Sequence, residues 1–231
     1  MGELLKPELR RVGNSQSPVV VVDEFSGALE RILTIAEGLA PYPLATNYYP
    51  GLRRTITRAD EAATAYVVDT CERAGQFIAG AFEIDCFDLL EASFSIITTR
   101  PSALTMPQRA PHFDTTDQKH LALLHYLRVP AETGTAFYRQ RLTGIERVTQ
   151  SNLDLFVGTA KADVARLPPD SGYICGSNQF FEEIGEIEAV PDRLIIYQGS
   201  LLHSGIIPPS MALRADPRLG RLTANLFVQG S

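Results

Sequence analysis

The sequence predicts an α+β protein in which a helical N-terminal third supports a β-rich remainder. Two textures carry that reading. Over residues 29–39 and again over 60–81, apolar side chains recur at helical spacing. From Leu90 onward, short β-rich runs alternate with turn residues, the pattern of an all-β sandwich or barrel. No stretch between them has linker composition, and the sequence carries no internal repeat or low-complexity segment. Residues 1–231 therefore read as a single domain, with 1–89 as helical support and 90–231 as the β core.

In chain order, Ser17–Val22 holds the run Pro18–Val19–Val20–Val21–Val22 and predicts a strand. Asp23 is placed to cap the helix that follows, whose apolar positions are Phe25, Leu29, Ile32, Ile35 and Leu39. Gly38, Pro41 and Pro43 end it. Tyr48–Arg53 reads as a loop with a tight turn. A second helix spans about Asp60 to Ala81, burying Ala62, Ala65, Val68, Cys71, Phe77 and Ile78, with Gly75 and Gly80 weakening its far half. Strands are expected near Ala92–Thr98, Leu121–Leu127, Thr135–Arg139, Phe181–Ala189, Arg193–Tyr197 and Leu219–Val228. The more polar Thr149–Pro169 reads as a helix or a long insertion.

Composition excludes several classes of function. A hydrophobic content of 45% with 21% charged residues is that of a soluble globular protein. A formal charge of −6 gives no reason to expect nucleic acid or a membrane surface as partner. Cys71, Cys86 and Cys175 are odd in number and lack metal-site spacing, so they read as free thiols in a reducing compartment. Met1–Asn14 is polar and lacks the apolar core of a signal peptide, and no apolar run approaches the ~20 residues of a membrane span. The expectation is a cytoplasmic protein.

Three landmarks carry the chemistry. In Pro111–His112–Phe113–Asp114, residues two apart on an extended strand point to one face, so His112 and Asp114 aim together. His203, in Gly199–Gly205, follows another strong strand pattern and completes a two-histidine, one-carboxylate set. That set suits non-haem Fe(II) with open positions for a co-substrate and O2. Arg221 opens a run in which Arg221, Thr223, Asn225 and Phe227 share a face. An arginine on a core face calls for a buried anion, which its planar fork would hold with Thr223 adding a hydrogen bond. Arg214 and Arg218 compete for that role but lie in a Pro- and Asp-containing connection that reads as solvated. Two bland readings stand beside these: Asp114 starts a turn with Thr115, Thr116 and Asp117, and His203 lies in a surface Ser/Gly loop.

The segment His112 to Arg141 resembles prolyl-4-hydroxylase-type members of the 2-oxoglutarate oxygenase superfamily. There His-x-Asp precedes a strand ending Tyr-Leu, here Tyr126–Leu127, and then a Gly-Thr-x-Phe strand, here Gly134–Phe137. Asp192–Gly205 is similar to the family's Asp-Arg-Leu strand leading to the distal histidine. Tyr49–Arg53, Tyr-Pro-Gly-Leu-Arg, resembles a bacterial family of uncharacterised function related to these hydroxylases.

The resemblance covers roughly residues 90–231. It implies a double-stranded β-helix (jelly-roll, cupin-like) core and His112, Asp114 and His203 as iron ligands. Arg221 would hold the distal carboxylate of 2-oxoglutarate, with Tyr126 donating to the same group. Arg221 lies eighteen residues after His203, longer than the hydroxylase branch uses, and Pro208–Gly220 would absorb the excess. The halogenating branch has a small residue where Asp114 stands, so the resemblance implies hydroxylation or another oxidation.

Further candidates to line the substrate pocket are Arg139 or Arg141, against the reading of an exposed basic edge, together with Asn225, Asn178 and Gln198. His125 should point into packing, and His120 should lie on a loop surface. The expected function is an Fe(II)- and 2-oxoglutarate-dependent dioxygenase acting on a small molecule, a free amino acid or a peptidyl side chain. Two alternatives are a cupin-type metalloenzyme that needs no 2-oxoglutarate and a non-catalytic β-sandwich binding module.

Overall fold

The computed structural model describes residues 5–168 and 170–231. Ten strands and three α-helices follow in the order β1 (Pro7–Val12), β2 (Ser17–Val22), α1 (Leu29–Gly38), β3 (Gly51–Thr55), α2 (Glu61–Phe82), β4 (Phe87–Ile97), β5 (His120–Arg128), β6 (Gly134–Gln140), α3 (Leu153–Ala165), β7 (Phe181–Glu188), β8 (Leu194–Gln198), β9 (His203–Ile206) and β10 (Leu222–Gly230). They build a seven-stranded sheet, β1-β2-β8-β5-β10-β4-β3, facing a three-stranded sheet, β7-β6-β9. Pairing is antiparallel throughout. From β5 onward the chain passes back and forth between the two sheets, which is the winding of a double-stranded β-helix.

The period of two in each strand sorts side chains into layers. Val20 and Val22, Leu121 and Leu123, Leu194 and Ile196, and Leu222, Ala224, Leu226 and Val228 pack outward under α1 and α2. Their neighbours Val19 and Val21, Ala122 and Tyr126, and Ile195 and Tyr197 point inward against Phe137 and Ile187 of the smaller sheet. Behind the smaller sheet, Ala136, Tyr138 and Phe181 pack against Phe156 and Val164 of α3. The central strands β2, β8 and β5 of the large sheet are thus buried on both faces, which explains their near-continuous apolar runs.

Several expectations change. Met1–Asn14 contains β1, a largely exposed edge strand whose Glu-Leu-Arg-Arg run hides it from pattern reading. The Tyr48–Arg53 loop ends in β3, the opposite edge of the sheet. Asp23 does not cap α1, which begins at Leu29 after Ala28; its carboxylate pairs instead with Arg193 (2.5 Å). The buried face of α2 is rotated from the one expected: Ala63, Tyr66, Val67, Thr70 and Ala74 join Phe77 and Ile78, while Ala62, Ala65 and Val68 are exposed. The helix runs through Gly75 and Gly80 because this face packs on the sheet. Thr149–Pro169 holds α3, with Pro169 outside the described residues. Among the described residues, no helix is long and apolar enough to cross a membrane.

Asp192 ties the layers together. It adopts a left-handed conformation (φ 64°) in the β7–β8 turn. Its carboxylate accepts hydrogen bonds from the Ser26 N–H (3.1 Å), the Ser26 hydroxyl (2.5 Å), the Gly27 N–H (3.0 Å) and His125 Nε2 (2.9 Å). With its Nε2 proton given to Asp192, the buried His125 meets the hydroxyl of Tyr66 on α2 at Nδ1 (2.8 Å). Burial pushes the Asp192 carboxyl up, but the bonds from His125 and Ser26 outweigh it and hold the group below its ordinary value. A depressed folded value means the stabilisation is complete above the unfolded carboxyl's range and is lost as the pH falls through the folded value. Asp192→Asn should therefore cost roughly 2–4 kcal/mol at neutral pH in denaturant unfolding. It should also flatten the acid limb of the stability profile relative to wild type.

Candidate metal centre

His112 lies outside the named strands but forms an isolated antiparallel bridge with His203, the first residue of β9. The His112 N–H donates to the His203 carbonyl (2.9 Å) and the His203 N–H donates back (2.8 Å). Such a pair places both side chains on one face, with ring centroids 4.3 Å apart. Asp114, two residues on, keeps to that face, and its N–H bonds to the Gly199 carbonyl (2.7 Å). Gly199 must lack a side chain: a Cβ there would lie 2.7 Å from His120 Cδ2 and 3.2 Å from both Cβ and Oδ2 of Asp114.

One ligand atom from each of His112, Asp114 and His203 falls within 4.8 Å of the others, and His203 Nε2 lies 3.8 Å from Asp114 Oδ2. No other group of three His, Cys, Asp or Glu side chains among the described residues is this close. His203 Nδ1 lies 2.7 Å from the Leu201 carbonyl, which can only accept. The proton is therefore on Nδ1, and the Nε2 lone pair faces Asp114 and His112. Tyr197 packs edge-on against His203 (4.8 Å), and Phe137 against Tyr197 (5.3 Å).

His112 and Asp114 present surface to solvent, while His203 is buried. Burial pushes both imidazoles down to about 4, with His203 adding to the effect at His112. Both are neutral at pH 7 with lone pairs free to ligate. Burial raises the Asp114 carboxyl, opposed by His112, His120 and Arg53. Two neutral imidazoles and a carboxyl oxygen within 4.8 Å of one another could serve as a facial donor set for a divalent transition metal.

Next to the triad the inner face of the large sheet changes character. The smaller sheet packs on the apolar half formed by β2, β5 and β8. On β3, β4 and β10 the register aligns Arg53 with Ser95 and Thr223, and Ser93 with Asn225, making a polar half. Arg221 stands at its head, only 4% exposed. Its guanidinium lies over the Tyr126 ring (5.8 Å) and donates from Nη2 to the Gly134 carbonyl (3.3 Å), while Nε is buried without a partner. No carboxylate pairs with it among the described residues. Thr223 is buried beside it, and Asn225 donates to the Thr223 hydroxyl (3.4 Å). The Tyr126 hydroxyl is shared with Thr135 (2.7 Å). Arg214 and Arg218 are exposed, and Arg218 pairs with Asp216 (2.8 Å).

Other candidates are committed elsewhere. Arg139 pairs with Glu146 (2.6 Å) and Glu182 (3.0 Å), so its charge is already answered within the fold. Asn178 caps a turn, accepting from the Phe180 and Phe181 N–H groups (2.8 Å each). Arg141 donates to the Asn178 carbonyl, and Gln198 joins Arg147 to the Gln118 carbonyl. His125 points into packing as expected. His120 does not lie on a loop surface: it opens β5, stacks on Phe227 (5.5 Å), and buries Nε2 without a partner close to Asp114. Sequence reasoning missed Tyr49, whose hydroxyl is buried in the polar half; its one signal was membership of the Tyr-Pro-Gly-Leu-Arg stretch.

Residues 4–228 match the model of a family described as "Family of unknown function (DUF6445)". No curated protein matches the chain. Among solved structures, it is similar to the non-haem α-ketoglutarate-dependent epimerase SnoN from nogalamycin biosynthesis, with a TM-score of 0.57, 13% identity, and coverage of 94% of this chain and 79% of that one. It is similar also to apo HygX from Streptomyces hygroscopicus (TM-score 0.54, 13% identity, 94% and 84% coverage). A third likeness is to the α-ketoglutarate-dependent carbocyclase SnoK (TM-score 0.53, 11% identity, 94% and 81% coverage). At such identities the likeness is one of fold.

His112→Ala and His203→Ala should each abolish binding of one divalent ion, measured by equilibrium dialysis, with the circular dichroism of the fold unchanged. Gly199→Ala, which presses a methyl group on Asp114, should weaken the same binding by roughly tenfold or more.

Proposed function

The chain belongs to the family of unknown function DUF6445, and we propose that it is a non-haem Fe(II)- and 2-oxoglutarate-dependent dioxygenase. Its reaction is the hydroxylation of an unactivated C–H bond in a small molecule, an amino acid or a peptidyl side chain. The observation that carries the reading is the conjunction of a converging His112–Asp114–His203 set with a buried arginine that lacks an anion. Two structures of similar fold support it: SnoN in complex with Fe3+ and α-ketoglutarate, and HygX with nickel and 2-oxoglutarate bound.

The donor set fits iron: His112, Asp114 and His203 would hold Fe(II), which would let O2 act as the oxidant of a C–H bond with 2-oxoglutarate as the electron-donating co-substrate. The chain's own groups do the rest. Leu201 fixes the His203 tautomer so that Nε2 is offered to the ion, and His112 and Asp114 complete the set. Arg221 and Thr223 hold the distal carboxylate of the co-substrate in a buried pocket, where a charge-assisted fork is strongest. The Tyr197 and Phe137 rings wall off one side of His203 from water. Asp114 keeps the carboxyl at the position the halogenating branch leaves small, which favours hydroxylation. Free thiols at Cys71, Cys86 and Cys175 agree with a reducing, cytoplasmic setting.

A cupin-type enzyme without 2-oxoglutarate leaves Arg221 unexplained, and a binding module leaves the triad unexplained. The chain incubated with Fe(II), ascorbate and 2-oxoglutarate should form succinate, even without a prime substrate. Iron uptake without succinate formation or 2-oxoglutarate binding would instead favour the cupin-type enzyme. Arg221→Ala should lower 2-oxoglutarate affinity by about a hundredfold while leaving metal affinity intact. Unchanged co-substrate affinity in that variant would remove Arg221 from the site.

A further inference from the structure

Three polar atoms in the polar half of the inner face are buried without a hydrogen-bond partner: Tyr49 Oη, Ser95 Oγ and Arg221 Nε. They belong to one place. Ser95 on β4 pairs in register with Thr223 on β10 and with Arg53 on β3, and Thr223 shares its face with Arg221. The Tyr49 hydroxyl lies beside the Thr223 and Ser95 hydroxyls, at the margin of hydrogen-bond geometry, and it feels the charges of Arg221 and Arg53. The inventory of this cluster is lopsided. Arginine Nε can only donate, each hydroxyl has a proton to give, and the carboxylate on this face, Glu91, is taken up by Arg53. A buried donor left unmade costs about 1–3 kcal/mol; Arg221 Nε, which cannot accept, calls for a bound acceptor, and one carboxylate there has lone-pair directions to spare for the two neighbouring hydroxyls.

Tyr49 reaches the cluster from outside the β-helix core. The arm that carries it is stitched to neighbouring segments. The Pro50 carbonyl accepts from the Thr98 and Thr99 N–H groups (3.2 Å each), Asn47 Oδ1 accepts from the Tyr49 N–H (3.1 Å), and Gln108 Nε2 donates to the Tyr48 carbonyl (3.0 Å). Gly51 permits this approach, because a Cβ there would stand 2.0 Å from the Ile96 carbonyl oxygen. The neighbouring Tyr48 points the other way and is 77% exposed, so the arm aims one specific hydroxyl inward.

We propose that Tyr49 donates its hydroxyl to the distal carboxylate of the 2-oxo acid co-substrate, making the arm ahead of the β-helix core part of the co-substrate site and a determinant of its selectivity. The proposal rests on the reading of the site as a 2-oxoglutarate site. Burial pushes the Tyr49 hydroxyl up to about 12, so it keeps its proton as a donor at neutral pH. The site then discriminates between a 2-oxo acid ending in a second carboxylate and one ending in a methyl group, since the latter leaves every donor of the cluster unanswered.

The test is calorimetric titration of the full chain loaded with Ni(II), using 2-oxoglutarate and 2-oxopentanoate, which differ only at the distal end. Tyr49→Phe should weaken 2-oxoglutarate by roughly 10- to 30-fold, leave 2-oxopentanoate within twofold of wild type, and leave Ni(II) affinity unchanged. Ser95→Ala should give the same selective loss in milder form. Equal 2-oxoglutarate affinity in Tyr49→Phe and wild type overturns the role of Tyr49. So does equal weakening of both acids or a loss of Ni(II) binding in the variant, because Tyr49 would then serve the fold. A wild-type chain that takes Ni(II) but not 2-oxoglutarate overturns the co-substrate reading itself.

Discussion

Two backbone hydrogen bonds between His112 and His203 are the constraint on which the site depends. They join a short segment after β4 to the start of β9, far apart in sequence. In an antiparallel pair of this kind the two side chains have one geometry available: side by side on the same face. Asp114 inherits its position from the same lattice, with the Gly199 carbonyl holding its backbone and the missing Gly199 side chain leaving room for its carboxyl. The donor set is thus built from sheet hydrogen bonds and does not rely on mobile loops, which gives it the rigidity that metal ligation needs.

The unequal widths of the two sheets explain where the polar half of the inner face is. A three-stranded sheet cannot cover a seven-stranded one, and it packs where the inner face is apolar, on β2, β5 and β8. The remaining inner face on β3, β4 and β10 carries serine, threonine, asparagine and arginine. Several of these groups answer one another, Arg53 with Ser93 and Glu91 and Asn225 with Thr223, but Arg221 Nε is left without a partner, and buried polar groups without partners are costly. At the triad, desolvation by the surrounding protein lowers the two imidazoles and keeps them neutral.

Much of this was legible in the sequence because it depends on a period of two. Central strands such as β2, β5, β8 and β10 announce themselves through alternating or continuous apolar runs, and the same period pairs His112 with Asp114 and Arg221 with Thr223. What escaped depends on edges and on distance. The edge strands β1 and β3 are rich in charge because one side of each faces solvent, so they read as polar tail and loop. In α2 the alanines carry no clear preference for either face, so helical spacing alone does not separate the stripe through Ala62, Ala65 and Val68 from the buried one through Ala63, Tyr66 and Val67. Arg139 looked available because its partner Glu146 sits in a turn of no evident pattern. Tyr49 and His120 bury their polar tips through contacts that only the assembled sheet creates.

The measurement that bears most directly on the central claim is anomalous diffraction from crystals of the full chain grown anaerobically with Fe(II). The account predicts a single metal peak about 2.0–2.2 Å from His203 Nε2, from a ring nitrogen of His112 and from a carboxyl oxygen of Asp114. A chain whose imidazoles turn to other partners, with no peak between them or with iron bound at another place, would contradict it.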